Sequence, residues 1–251
     1  MNSKKTQVCG TALVTGAARR IGAAIATMLH DAGYDVVIHA HQSLNAAHAL
    51  AAVLNAKRRD SACVCVADLS LKNAAVDLIQ QAIAWRQRLD VLINNASCFI
   101  QTPIGAVDEA VWDTLWAVNT KAPFYLSEAA HAALVQSDNG NIINMTDIHA
   151  EKPLRDYIAY TQTKAALKLQ TESLAREYAP NIRVNAVAPG AIVLPEGDNA
   201  LDSVQQAHIL SKTPLGRWGA PEWVAKAVLD LITNNYMTGQ TLRVDGGRSI
   251  Y

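Results

Sequence analysis

Short apolar runs that alternate with stretches of helical periodicity recur along most of the chain, and no other feature limits its possible folds so strongly. Thr11 to Thr15 is one such run, followed by a glycine-containing turn and a helical pattern from Ile21 to Ala32 that Gly33 ends. Next come a run over Asp35 to Ala40, a helix over Asn45 to Lys57 with Asn45 as its cap, and a run over Ser61 to Val66. Helix over Lys72 to Arg88 and strand over Val91 to Asn94 continue the series, then one long or two abutting helices over Asp108 to Ser137. Strand Asn141 to Asn144, helix Tyr157 to Tyr178, strand Arg183 to Ala188, helix Pro221 to Thr233 and strand Thr241 to Val244 complete it. Strands that are apolar throughout and separated by helices predict a parallel sheet covered on both faces, hence an α/β chain. With no repeat or low-complexity tract, residues 1–251 are expected to form one domain of about seven strands. Residues Ala191 to Thr213 read as the longest irregular stretch and as a substrate lid.

Composition narrows the class of function. A chain of 251 residues buries about 70% of the surface it exposes when unfolded, so its core needs no disulfide or metal staples. Basic and acidic side chains balance at 22 each, which argues against a nucleic-acid or anionic-membrane surface. No segment approaches the roughly 20 apolar residues that span a bilayer. Residues 1–14 lack the apolar core of a secretory signal, so a cytoplasmic setting is expected. Cys9, Cys63, Cys65 and Cys98 form neither a CxxC pair nor a cluster with zinc spacing, and no metal is expected. Small-molecule chemistry is the class that remains.

The first strand–turn–helix unit reads Thr15-Gly16-Ala17-Ala18-Arg19-Arg20-Ile21-Gly22. Gly16 permits a tight turn, Gly22 lets the helix pack closely, and the helix N-terminus offers N–H groups to a pyrophosphate. A dinucleotide site is therefore expected. A site for NAD would place an Asp or Glu at the end of the second strand, about 20 residues on, to hold the ribose hydroxyls. That strand instead ends His39-Ala40-His41-Gln42-Ser43. Arg20, where a middle glycine is common, is expected to meet an adenosine 2′-phosphate together with His41, Gln42 and Ser43, selecting NADP(H).

Tyr160 and Lys164 stand four apart on one helix and share a face, so the ammonium is expected to favour the phenolate. Asn94-Asn95-Ala96-Ser97 follows the fourth strand, Asn119 lies in the next helix, and Pro189-Gly190 follows the sixth strand. All are at carboxyl ends, where an open α/β sheet binds ligands.

TGAARRIG, the ADL of Ala67 to Leu69, NNAS, the Asn119 helix, YTQTK and the VDGG of Val244 to Gly247 together resemble the short-chain dehydrogenase/reductase family over essentially the whole chain. The resemblance implies a Rossmann-type doubly wound sheet of strand order 3-2-1-4-5-6-7 and a homotetramer. It implies an NADP(H) site along Gly16, Arg20 and Ile21, along Asp68 and Leu69 beside the adenine, and along Asn95, Ala96 and Ser97. Lys164 would hold the nicotinamide ribose, with Pro189 and Gly190 nearby. Most members carry a Ser thirteen residues before the Tyr, whose hydroxyl binds a carbonyl substrate; here that position is Asp147. A carboxylate is a poor donor to a ketone but suits acid catalysis on a C=N bond. Asp147, Tyr160 and Lys164, the HxHxS stretch and the NNASCF ending in Phe99 resemble the pteridine reductases of the family. In these an aromatic after NNASx stacks the pterin against the nicotinamide, and a Tyr three before the catalytic one lines the pocket. Phe99 and Tyr157 stand at those positions, and Ser97, Asp147 and Tyr160 complete the expected substrate site. Asn119 is expected to hold a proton-returning water relay, completing the candidate catalytic set Asp147, Tyr160, Lys164 and Asn119. Gln42 departs from the Arg often found there in the subfamily. The expected activity is pterin or folate reduction. The alternatives are a carbonyl reductase of the 3-oxoacyl-thioester kind and a non-catalytic NADP-binding regulatory protein.

Overall fold

The structure, a computed structural model, describes residues 9–194 and 200–251. Each apolar run becomes a strand: β1 (Gly10–Val14), β2 (Tyr34–Ala40), β3 (Ala62–Val66), β4 (Val91–Asn94), β5 (Gly140–Met145), β6 (Ile182–Pro189) and β7 (Thr241–Val244). They form one parallel sheet of order β3-β2-β1-β4-β5-β6-β7. β1, β2 and β5 are buried along their whole length, because helices cover both faces and neither side of a strand meets water.

The pleat sends neighbouring side chains to opposite layers. Ala12, Val14, Val36, Ile38, Val91 and Ile93 pack against helices α1 (Arg20–Asp31), α2 (Leu44–Lys57) and α8 (Pro221–Thr233). Leu13, Val37, Leu92 and Ile142 face α3 (Ala74–Arg86), α5 (Ala122–Val135) and α6 (Ile158–Glu177). Cys65 joins this second layer as a buried free thiol, with Cys63 partly buried against it.

Two local expectations are corrected, on the α2 cap and the irregular stretch, and a third, on the long helical stretch, gains detail. Asn45 does not cap α2; Ser43 occupies the N-cap, without a side-chain bond, and Asn45 lies inside the helix. The long helical stretch is α4 (Glu109–Trp116), a π-helical turn Ala117–Lys121 and α5, joined end to end and opened by Asp108, whose carboxylate accepts from Ala110 N at 2.7 Å. Within the stretch read as irregular lies α7 (Ser203–Ser211), opened by a capping box in which Asp202 and Gln205 bond reciprocally. α7 buries none of its residues, so it carries no apolar stripe from which periodicity could reveal it. Part of the lid expectation, residues 195–199, lies outside the described residues.

After β1 the chain builds β2 and β3 on one side, then returns to place β4 on the other. Loops leaving the carboxyl ends of β1 and β4 therefore diverge and leave a crevice between them, the preferred ligand position in such sheets.

Candidate active site

The turn between β1 and α1 forms one wall of that crevice. Gly16 has φ +60°, and a Cβ there would stand 3.0 Å from the Ala96 Cα; a Cβ on Gly22 would stand 2.3 Å from the Gly16 carbonyl oxygen. Both positions require glycine, one for conformation and the other for close approach. Arg20 adopts φ +56° at the position where a middle glycine is common, a left-handed geometry that costs a non-glycine residue about 1–2 kcal/mol. α1 has no side-chain cap and no acidic residue in its first turn, leaving its N–H groups and dipole to an anion.

The turn is fastened from both sides. Asn95 Nδ2 donates to the carbonyls of Thr15 (2.8 Å) and Gly16 (3.1 Å), while the Thr15 hydroxyl accepts from Asn95 N and Ala96 N. From the other side Gly16 N donates to Nδ1 of the buried His39 at 3.1 Å. Asn95, expected from the sequence at the cofactor site, also holds the turn through its amide. His39 appears in the sequence only as the first residue of the HxHxS stretch, with no role of its own.

A cavity of about 450 Å³ runs from the turn across the ends of β2 and β3 to the end of β4. Gly16, Arg20 and Ile21 line it at the turn, His41, Gln42 and Ser43 at β2, Asp68 and Leu69 after β3, and Asn95, Ala96 and Ser97 after β4. Arg19, Cys98 and Val118 line it as well, unforeseen from the sequence. No carboxylate follows β2 directly. Asp68 reaches within 3.6 Å of His41, and its carboxyl is held below the usual range by the Ser70 hydroxyl and amide. The Arg20 guanidinium donates across the mouth to the carbonyls of Leu194 (3.0 Å) and Val193 (3.4 Å), so it shares the cavity with His41, Gln42 and Ser43 while reaching away from them. Lys164, Pro189 and Gly190 lie outside the cavity wall; Gly190 packs against Asp245, where a Cβ would come within 2.6 Å.

The titratable groups gather where β5 ends. Thr146 turns into the sheet, its hydroxyl donating to Val187 O at 3.0 Å, so the next side chain emerges on the other side. That residue, Asp147, caps a 3-10 turn over Ile148–Ala150: one carboxylate oxygen accepts from His149 N and the other from the Tyr160 hydroxyl, both at 2.8 Å. One turn further along α6, Lys164 Nζ donates to Met145 O at 2.9 Å and stands 5.7 Å from the Tyr160 ring centre.

Burial pushes the Tyr160 phenol well above its ordinary 10.0, and the Asp147 charge acts in the same direction. Burial lowers Lys164 to about 8 against the opposing pull of Asp147. Desolvation and the adjacent carboxylate thus outweigh the expected help of Lys164 to the phenolate.

Asn119 sits in the π-helical turn, a distortion that is frequent at functional sites. Its Oδ1 accepts from the Ser97 hydroxyl (3.1 Å) and Cys98 N (2.8 Å), and its Nδ2 donates to Cys98 O (2.9 Å) and the Thr163 hydroxyl (3.1 Å). An amide has two donor hydrogens and two acceptor positions, and all are used here in positioning the 97–98 segment against α6.

Phe99 stacks on Tyr157 at 4.3 Å and 11°, and meets the Tyr160 ring edge at 4.7 Å and 83°. The three aromatics form an apolar platform with Leu115 and Ala159, beside the only strongly shifted phenol–ammonium pair among the described residues.

Comparison with known proteins agrees with this geometry. The family model described as enoyl-(acyl carrier protein) reductase matches residues 16–249. Pteridine reductase 1 of Leishmania tarentolae is 36% identical over 280 residues, covering 95% of this chain and 96% of that protein. The 3-oxoacyl-[acyl-carrier-protein] reductase of Rickettsia prowazekii is 37% identical over 240 residues, covering 94% and 95%. The solved structure of FolM alternative dihydrofolate reductase 1 from Brucella canis, complexed with NADP, superposes with a TM-score of 0.86 at 35% identity, covering 97% of this chain and 95% of that one.

Proposed function

The chain belongs to the short-chain dehydrogenase/reductase family, and from that premise we propose that it is an NADPH-dependent pteridine reductase. Its substrates on this reading are oxidised or dihydro forms of a pterin, such as dihydrobiopterin, dihydromonapterin or dihydrofolate, and its products are tetrahydropterins. The observation that carries the reading is the 2.8 Å bond from the Tyr160 hydroxyl to Asp147, at the position where most of the family holds a serine.

The residues present fit the cofactor. Gly16 held at positive φ close against Ala96, Gly22 whose Cβ would collide with the turn, an uncapped helix N-terminus without acidic residues, and Arg19, Arg20 and His41 around the cavity suit a dinucleotide carrying an extra phosphate. NADPH, when bound, supplies the hydride.

This chain's own residues then manage the proton. Tyr160, kept protonated by burial and by Asp147, donates to the substrate ring nitrogen next to the carbon that is reduced. Asp147, oriented by His149 N, aims the phenol, and Lys164 offsets the charge left on it. Phe99, stacked on Tyr157 and set beside the Tyr160 ring, gives the site the aromatic surface that a flat heteroaromatic ring suits. The pteridine reductase of L. tarentolae and the NADP complex of the B. canis FolM reductase support this reading.

A second reading, reduction of a 3-oxoacyl thioester, is favoured by the similarity to the R. prowazekii enzyme. Both Asp147 oxygens already accept, from His149 N and the Tyr160 hydroxyl, so the side chain at the serine's position is engaged as an acceptor and not as a donor to such a carbonyl. NADPH oxidation by the pure protein, measured with dihydrobiopterin, dihydromonapterin, dihydrofolate and an acetoacetyl thioester, separates the two. Pterin-dependent turnover is expected; turnover of the thioester alone overturns the assignment.

A further inference from the structure

We propose that His39 is the positioning residue of the dinucleotide turn, a neutral imidazole strut that ties Gly16 to the end of β3 and whose protonation releases the turn's grip on the cofactor. The inference rests on reading the turn as the cofactor's phosphate site, and it adds a device that neither the family's glycines nor its helix dipole supplies.

The geometry fixes the tautomer. Gly16 N can only donate, so Nδ1, 3.1 Å away, must be the bare acceptor; Ala67 O can only accept, so Nε2, also at 3.1 Å, must carry the hydrogen. A single neutral imidazole therefore bridges the β1–α1 turn and the segment leaving β3, while its own carbonyl accepts from Ala17 N at 2.9 Å. Two consecutive amides of the glycine turn, Gly16 and Ala17, and the segment after β3 thus meet at one residue of β2. His39 is 2% exposed and lines the cavity together with Gly16.

The charged groups around it are few. His41 acts from the same strand, opposing a second positive charge; Arg19 and Arg20 of the turn and Asp68 beyond β3 line the same cavity. Burial, the largest influence, lowers the His39 imidazole below its ordinary 6.5. A base depressed in the folded state keeps its contribution above that ordinary value and loses it as pH falls through the folded value. Protonation converts Nδ1 from acceptor to donor, setting N–H against the N–H of Gly16.

Titration calorimetry with NADP⁺ tests this on three proteins: wild type, His39→Leu, which removes both bonds at similar size, and His39→Asn, whose Oδ1 can take the Nδ1 role. At pH 8 His39→Leu is expected to weaken NADP⁺ by at least about tenfold, the consequence of a partly buried Gly16 amide left without its partner, while His39→Asn stays within about threefold of wild type. The 2′-phosphate ionises with a pKa near 6, as phosphomonoesters do, and contributes equally to all three proteins. Between pH 8 and 5 the wild type should therefore lose several-fold more affinity than His39→Asn, a difference that belongs to the imidazole alone. If His39→Leu does not fold, this pH comparison decides. NADP⁺ affinity of His39→Leu within about threefold of wild type, or identical pH profiles for wild type and His39→Asn, overturns the inference. Failure of the wild type to bind NADP⁺ at any pH overturns the cofactor reading and the inference with it.

Discussion

At the scale of single residues, the site is governed by which charges are buried together. Tyr160 donates to Asp147, and removing either end separates the acid from what aims it. Tyr160→Phe is expected to lower kcat by at least about 100-fold, and Asp147→Ala by a similar factor, with NADP⁺ affinity little changed; turnover near the wild-type rate in either variant contradicts these roles. Lys164, lowered to about 8 by burial, sets the alkaline side of the profile. Above that pH the native protein loses the ammonium that an unfolded chain keeps to about 10.4. The unfolded chain then binds more protons, so the contribution of Lys164 to stability rises across that window while activity falls. The kcat/KM for NADPH should decline with an apparent pKa near 8, and stability measured against Lys164→Met should move the opposite way. Most of these residues were legible as residue types at a spacing. What was not legible is direction: four residues separate Tyr160 from Lys164 in the sequence, yet the ammonium bonds Met145 O and the phenol bonds Asp147.

Among elements, the sheet holds the site through a few close contacts between segments distant in sequence. α1 approaches the turn so closely that a single methyl group on Gly22 would meet the Gly16 carbonyl at 2.3 Å. Gly22→Ala should therefore shift α1 outward, costing about 1–3 kcal/mol of stability and weakening NADP⁺ by more than that loss of stability alone implies. Chemical denaturation and NADP⁺ titration of the variant check both; unchanged values for both would show that the turn tolerates the shift. The π-helical turn is the counterpart on the other side of the crevice, since the extra residue there brings Asn119 to Ser97, Cys98 and Thr163 together. Periodicity revealed a helix over this region but not its interruption, because one inserted residue barely disturbs an apolar stripe. α7 escaped for the opposite reason: it has no buried stripe, and its one local signal is the Asp202 and Gln205 pair three residues apart.

For the whole molecule, the described residues include no helix long and apolar enough to cross a membrane, while α5 exposes Phe124 and Tyr125 and α6 exposes Leu169. Exposed apolar groups of this kind suit association, and we expect a homotetramer of the 27.0 kDa chain, which light scattering after size exclusion would detect; a monomer at micromolar concentration would refute it. Ligand linkage acts at the same scale. NADP⁺ at about 100 times its Kd should add about 2.7 kcal/mol, raising Tm by roughly 5–10 °C, and an unmoved Tm would contradict cofactor binding. The sequence by itself determined the α/β class, nearly every strand and helix, the glycine turn and the residue types of the site, because local periodicity and backbone conformation are written in neighbouring residues. Only the tertiary structure decided the neutral state of the Tyr160 phenol, the saturated Asn119 amide and the His39 strut under Gly16. Each of these depends on desolvation and on partners from other strands, and burial and long-range hydrogen bonding exist only once the chain has folded.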